Sequence, residues 1–161
     1  MSGSADALRG ALGAPIALPR WQRYAIYASL AALVLSGIAW LWAAWPLVVD
    51  SADALPARAR SVALWALRLH GVAAYVALVV AGSVLTVHVR LGWSRRRNRA
   101  SGSVMATLFV VLAASGLWLY YGGEAGRRGV SLAHWILGLA VPVWLVMHRA
   151  LGLRSRRRAA G

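Results

Sequence analysis

Four histidines are the residues of this chain whose type and spacing point most directly to chemistry. They are His70, His88, His134 and His148. The first two are 18 residues apart and the last two 14 residues apart. At about 100° per residue, each pair returns to nearly the same face of a helix. Because all four lie in long apolar stretches, each imidazole needs a polar partner inside the protein.

Histidine pairs of this kind suit an iron cofactor. Two neutral imidazoles that face each other across two helices can bind one haem iron through Nε2, while each Nδ1–H donates to a carbonyl or hydroxyl oxygen. The pairs would be His70 with His134 on the outer side and His88 with His148 on the inner side. We therefore predict haem b as the cofactor: two groups if all four histidines ligate iron, or one if only the inner pair does.

The two pairs differ in how well their depths match. At about 1.5 Å per residue, His70 and His88 are about 27 Å apart along a helix, whereas His134 and His148 are about 21 Å apart. Counted from the arginines that follow them, His88 and His148 match in depth. The mismatch of about one turn therefore falls on the outer pair, where helix tilt or a kink at Pro142 would have to absorb it. The spacing favours the inner pair.

Composition shows which elements carry the histidines. The 161 residues are 60% hydrophobic, carry a formal net charge of +14 and include no cysteine. Apolar stretches cover residues 24–49, 62–89, 104–121 and 130–151, and each reaches the roughly 18 residues that a transmembrane helix needs. We predict an all-α integral membrane four-helix bundle over residues 21–153, with a disordered N-terminal tail at 1–20 and a basic C-terminal tail at 154–161.

Arginine distribution predicts the orientation of this bundle. Most of the arginines lie in the two tails and in the second connection, with few on the opposite side. The positive-inside rule then places both the N-terminus and the C-terminus in the cytoplasm, and the chain as a multi-pass protein in the bacterial cytoplasmic membrane. Basic runs that flank spans directly indicate contact with lipid headgroups rather than with nucleic acid.

Small residues and cations complete the expected haem site. Glycine, alanine and serine in the spans would let helices approach a macrocycle closely. Arginines near the membrane surface would bind the haem propionates. The inner candidates for this role are Arg90 and Arg149, and the outer ones are Arg68, Arg127 and Arg128. The small residues are Gly37, Gly71, Gly82, Ser83, Gly116, Gly138 and Ala140.

The chain resembles the four-helix di-haem cytochromes b of bacterial membranes, which include the cytochrome b subunits of formate dehydrogenases and nickel–iron hydrogenases. The resemblance covers about residues 24–153 and rests on short motifs. They are His70-Gly71, His88-Val89-Arg90, Ser115-Gly116, Trp118-Leu119-Tyr120-Tyr121, His134 and His148-Arg149. It implies bis-histidine haem b and electron exchange between a quinone and a partner redox protein. The 18-residue spacing of His70 and His88 departs from the pattern of such helices.

The leading hypothesis is thus a membrane electron carrier, an electron-transfer subunit rather than a self-contained enzyme. A haem-free membrane scaffold or assembly protein, whose histidines only join helices, is the alternative from another class. A small transporter with histidine proton relays is disfavoured because no carboxylate lies mid-membrane. A zinc site is disfavoured because the two histidine pairs are about 20 Å apart along the helices.

Overall fold

Helices form every regular element in the described part of the chain. The computed structural model describes residues 18–48, 54–90, 93 and 99–160. Helix α1 comprises Arg20–Val48, α2 Ala57–Val84, α3 Arg99–Tyr121 and α4 Arg127–Ala160. A π-helical turn, Leu85–Val89, continues α2. The predicted all-α class is confirmed over these residues.

All four helices are long and apolar enough to cross a bilayer. Their large apolar side chains point outward: Trp42, for example, is 75% exposed. The buried apolar side chains among the described residues are small ones, six alanines and two valines. Between lipid and protein there is no hydrophobic gain from burying a leucine, so close contact between small side chains holds such helices together. This surface is that of a multi-pass membrane protein.

The helices pack as two hairpins. Helix α1 runs along α2, and α3 runs along α4. Between the hairpins, α1 approaches α4, whereas α2 and α4 have few close backbone approaches. Since successive helices run in opposite directions, α1 and α3 begin at the end of the molecule where α2 and α4 finish. We call this the basic end, because Arg20, Arg23, Arg90, Arg99 and Arg149 lie there.

The turn between α3 and α4 is short because two glycines permit it. A Cβ on Gly122 would lie 2.5 Å from the carbonyl oxygen of Trp118, so only glycine fits where α3 ends. Gly126 has a φ of 76°, a left-handed conformation that glycine adopts without strain. With this turn, Ser115 lies six residues before the end of α3 and His134 seven after the start of α4. The turn therefore places the two residues at one depth.

The helices extend further than hydropathy predicts. Each begins three to five residues before the predicted apolar stretch, and α4 continues to Ala160. Residues 154–160, which belong to the predicted basic tail, are helical and continue α4. Hydropathy drops at the first arginine, but arginine is a good helix former and does not end a helix. The predicted N-terminal tail lies outside the described residues up to residue 17, as do 49–53 and 94–98.

Candidate functional site

Two of the predicted haem ligands meet between the hairpins. The ring centroids of His70 on α2 and His134 on α4 are 6.2 Å apart, with the ring planes inclined at 67°. The depth mismatch expected for this outer pair is therefore absent. The spacing from His70 to His88 is longer than that from His134 to His148, and the extra residues lie at the basic end. There the π-helical turn interrupts the regular α-helix of the second span.

His70 is held by its own hairpin. Its Nδ1 lies 3.1 Å from the carbonyl oxygen of Leu33 and 3.0 Å from Ser36 Oγ, both on α1. A carbonyl oxygen only accepts, so Nδ1 carries the proton. The Ser36 hydroxyl donates to the carbonyl of Ala32 at 2.6 Å, and its oxygen accepts from His70. This tautomer leaves the lone pair on Nε2.

His134 is held in the same way by the second hairpin. Its Nδ1 lies 2.7 Å from Ser115 Oγ on α3. Ser115 Oγ also lies 3.1 Å from the Leu112 carbonyl oxygen. When the hydroxyl donates to that carbonyl, the serine oxygen accepts the proton of His134 Nδ1. Nε2 of both imidazoles is then unprotonated, which is the form that binds a metal.

His148 has the same kind of partner nearer the basic end. Its Nδ1 lies 3.0 Å from Ser101 Oγ on α3. Trp144, one turn earlier on α4, donates from Nε1 to the Ser101 carbonyl at 3.1 Å. Ser101 is 7% exposed, so these polar contacts are shielded within the hairpin.

A serine followed by glycine contacts each of these three histidines. The glycines place no side chain against the imidazole: a Cβ on Gly37 would lie 3.6 Å from His70 Cε1, one on Gly116 3.5 Å from His134 Cε1, and one on Gly102 4.0 Å from His148 Cε1. Serine therefore contacts one ring nitrogen, and the glycine lies beside the adjacent ring carbon. We call this arrangement the Ser-Gly cradle.

The equivalent place on the first hairpin has no Ser-Gly sequence. Ser101 lies 14 residues before Ser115, and the residue 14 before Ser36 is Gln22. Gln22 Nε2 donates to Ser83 on α2, at 3.2 Å from Oγ and 3.4 Å from the carbonyl oxygen. Thr86 in the π-helical turn donates to the same carbonyl at 2.9 Å. These bonds stabilise α2 where its α-helical pattern changes.

His88 belongs to that π-helical turn. The side chain of His88 lies outside the described residues, and with it the predicted pairing of His88 and His148. That inner pairing stays a prediction.

The predicted propionate partners have different surroundings among the described contacts. Arg90 is exposed directly after the π-helical turn. Arg149 donates from Nη1 to the Tyr27 hydroxyl on α1, and its guanidinium carbon lies 5.4 Å from the Tyr27 ring centroid. Arg68 lies over the ring of Trp65 on its own helix, at 5.0 Å. The described contacts thus give Arg149 a partner that the sequence did not predict.

The glycines predicted to bring backbones together differ in their surroundings. Gly37 and Gly116 touch the histidines, and a Cβ on Gly138 would meet Leu112 at 4.0 Å. For Gly71 and Gly82, no described protein atom lies within 4 Å of such a Cβ. These two lie on one side of α2, so that side carries little protein bulk next to His70.

The distance between the His70 and His134 rings suits a shared metal ion such as haem iron. A metal–imidazole bond is about 2 Å long, so two imidazoles that held one iron would have ring centroids about 6 Å apart. The observed separation agrees with this value. Within the described residues no three histidine, cysteine or acidic side chains come together. Zinc sites take three or four protein ligands, whereas haem iron needs only two from the protein.

A groove borders this site at Ser36. It has a volume of about 800 Å³, lies between α1 and α2 and is lined by small and apolar side chains. None of the described histidines lines it.

No protein-family model, curated protein or solved structure matches the chain. The chemistry of the site therefore follows from its own residues.

Sequence reasoning missed the partners of the histidines. The sequence predicted a carbonyl or hydroxyl acceptor for each Nδ1–H, but neither Ser36 nor Ser115 was assigned to that role. Sequence reasoning did not single out Ser101-Gly102, although the 14 residues from Ser101 to Ser115 equal those from His134 to His148. That matched spacing on two neighbouring spans could have revealed the cradles.

Replacing Ser115 by alanine is expected to destabilise the protein more than replacing Ser36. Ser115→Ala leaves His134 Nδ1–H without its described acceptor, which costs about 1 kcal/mol. After Ser36→Ala the Leu33 carbonyl still accepts from His70, so we expect a cost of about 0.5 kcal/mol or less. Unfolding in mixed detergent micelles, followed by helical circular dichroism, measures both. Equal losses would contradict the assignment of the Leu33 carbonyl.

The size limit of the cradle can be measured at Gly116. Gly116→Ala adds a Cβ at ordinary van der Waals distance from His134, so the free energy of unfolding should change by less than about 0.5 kcal/mol. Gly116→Leu has no such room and should cost about 1–3 kcal/mol. Gly129→Leu, at a helical glycine with no described atom near its Cβ, is the matched control. Equal tolerance of leucine at both glycines would exclude the cradle.

Proposed function

We propose that this protein is a b-type cytochrome that carries electrons across or within a membrane, between a quinone pool and a partner redox protein. In this proposal it is a member of the four-helix cytochromes b that its sequence resembles. It is an electron-transfer subunit, and another chain supplies the substrate chemistry. Its cofactor site is formed by side chains of the membrane-spanning helices.

One observation carries the proposal: two imidazoles from different hairpins face each other with Nδ1 bound on each. His70 and His134 are 6.2 Å apart between ring centroids, and both Nδ1 atoms are engaged by α1 or α3. Histidines that only join two helices need one hydrogen bond each, which the serines already supply. The described contacts assign no hydrogen bond to Nε2 of either ring, so these atoms have no structural task there.

The chain's own residues would orient and insulate the cofactor. Ser36, Leu33 and Ser115 hold the two rings in the Nδ1–H tautomer, which keeps Nε2 available. Gly37 and Gly116 let the rings sit close to α1 and α3. The outward apolar surface keeps water from the space between the hairpins. Bound haem b would supply a one-electron iron couple inside the bilayer.

A second haem at the basic end stays part of the proposal. His148 has the same serine contact as the other two histidines, and His88 is the candidate for the opposite ligand. With one haem per chain, we assign it to His70 and His134. This reverses the preference that the residue spacing gave.

The membrane setting of the proposal is the bacterial cytoplasmic membrane with both termini inside. The described arginines concentrate at the basic end. Under the positive-inside rule that end faces the cytoplasm. The aromatic side chains exposed at the other end, among them Tyr120 and Tyr121, suit the opposite membrane interface.

The second candidate is a haem-free scaffold or assembly protein. It is favoured by the serine–histidine bonds themselves, because bonds from α1 to α2 and from α3 to α4 would join helices without any cofactor. The spectrum of the purified protein separates the two functions.

Haem b should be visible in protein purified in detergent from haem-replete cells. We expect a Soret shift and an α-band in reduced-minus-oxidised spectra, and one or two haems per chain by pyridine haemochrome assay. His70→Ala and His134→Ala should each remove the same low-spin centre, because haem needs both axial ligands for that spin state.

Two results would contradict this function. A folded protein without a haem spectrum would favour the scaffold. If either alanine variant kept every low-spin centre, His70 and His134 would not be the haem ligands. Leu132→Ala, at an exposed apolar position two residues before His134, is the matched control and should keep the full spectrum. His148→Ala tests the second centre separately.

Orientation can be measured with reporters. A fluorescent protein that folds only in the cytoplasm should be bright when fused after residue 161, and a phosphatase active only outside should be active when inserted in the turn at Gly123. The opposite pattern would overturn the orientation while leaving the haem site untouched.

A further inference from the structure

A polar contact joins the first and last helices near the basic end. Arg149 on α4 donates to the Tyr27 hydroxyl on α1, and its guanidinium lies over the Tyr27 ring. Tyr27 is 37% exposed and Arg149 is exposed as well. The contact therefore lies on the outer surface, along the line where the two hairpins meet.

Positive charge accumulates along this line. Arg23 and Arg20 precede Tyr27 by four and seven residues, so by helical periodicity they share its face of α1. The one acidic residue in the described part of the chain is Glu124, in the turn at the opposite end. These three arginines thus have no described carboxylate with which to pair.

The depth of the contact is that of lipid headgroups. Tyr27 lies seven residues into α1, about 10 Å along the helix. Tyrosine rings and arginines that extend toward water mark the boundary between hydrocarbon and headgroups. At this boundary the anions present at high local concentration are phospholipid phosphates. Basic pockets between transmembrane helices bind anionic headgroups of this kind.

We infer that the α1–α4 seam, formed by Arg20, Arg23, Tyr27 and Arg149, binds the phosphate of an anionic phospholipid. Guanidinium groups match phosphate oxygens with two parallel N–H donors. One Nη1 donor of Arg149 is used by Tyr27, which holds the guanidinium in place and leaves its other donors for the ligand. Because α1 and α4 are the helices through which the hairpins approach, the headgroup ties the hairpins together. This site is independent of haem.

Binding can be measured by native mass spectrometry of the full-length protein in micelles containing phosphatidylglycerol or phosphatidylcholine. We expect phosphatidylglycerol to be retained at least about tenfold better, because its headgroup lacks the choline cation that phosphate would otherwise pair with. It should also raise the midpoint of thermal unfolding. Arg149→Gln and Arg23→Gln should each lower the retention several-fold. Arg58→Gln, at an exposed position at the opposite end, is the matched control and should not.

Further variants and ligands keep the test decisive. Arg149→Lys keeps the charge but loses the guanidinium fork, so we expect intermediate retention from a variant that still folds. Inorganic phosphate alone should not raise the unfolding midpoint; an equal rise would assign the seam to free phosphate. Equal retention by the Arg149→Gln and Arg58→Gln proteins would overturn the proposal. So would loss of haem with unchanged lipid retention in Arg149→Gln, which would make Arg149 a propionate partner.

Discussion

An imidazole N–H among hydrocarbon chains must find its acceptor inside the protein, because lipid offers none. The described histidines meet this demand within their own hairpins, each through a serine hydroxyl on the preceding helix. Every other feature of the site follows from that bond. It fixes the tautomer and aims the second nitrogen away from the serine. The bond also requires the serine and the histidine to lie at the same depth on the two helices of a hairpin. The connection between the helices must have a length that permits this.

The packing of the spans also brings each serine within hydrogen-bonding distance of its histidine. Ser36 lies 12 residues before the end of α1 and His70 13 after the start of α2, so the two reach one depth as Ser115 and His134 do. Alanines rather than large side chains are buried along α2. Close helices let a short serine side chain reach across. Burying alanine rather than leucine between the helices costs little stability in lipid, because leucine gains nothing by moving from hydrocarbon into protein.

The two halves of the molecule are alike but not equivalent. The second hairpin carries two Ser-Gly cradles and the first carries one. At the place of the missing cradle, Gln22 bonds to Ser83, and the α-helical pattern of the second span gives way to a π-turn. π-turns inside helices are frequent at functional sites. The symmetric part of the site is therefore the pair of His70 and His134, and the asymmetric part lies at the basic end.

Some of this protein is determined by the sequence alone. Apolar length predicts four helices, and the distribution of arginine distinguishes the two ends, because both depend on transfer from water to lipid and on charge, which are properties of residue types. Histidine spacing predicts which residues share a face of a helix. It does not predict which pair meets, since ideal helices ignore where each hairpin turns and where a π-turn falls. Tertiary structure decided that His70 and His134 face each other, that serines hold them, and that Arg149 reaches Tyr27. Each is a contact between helices, and its geometry depends on the register in which those helices pack.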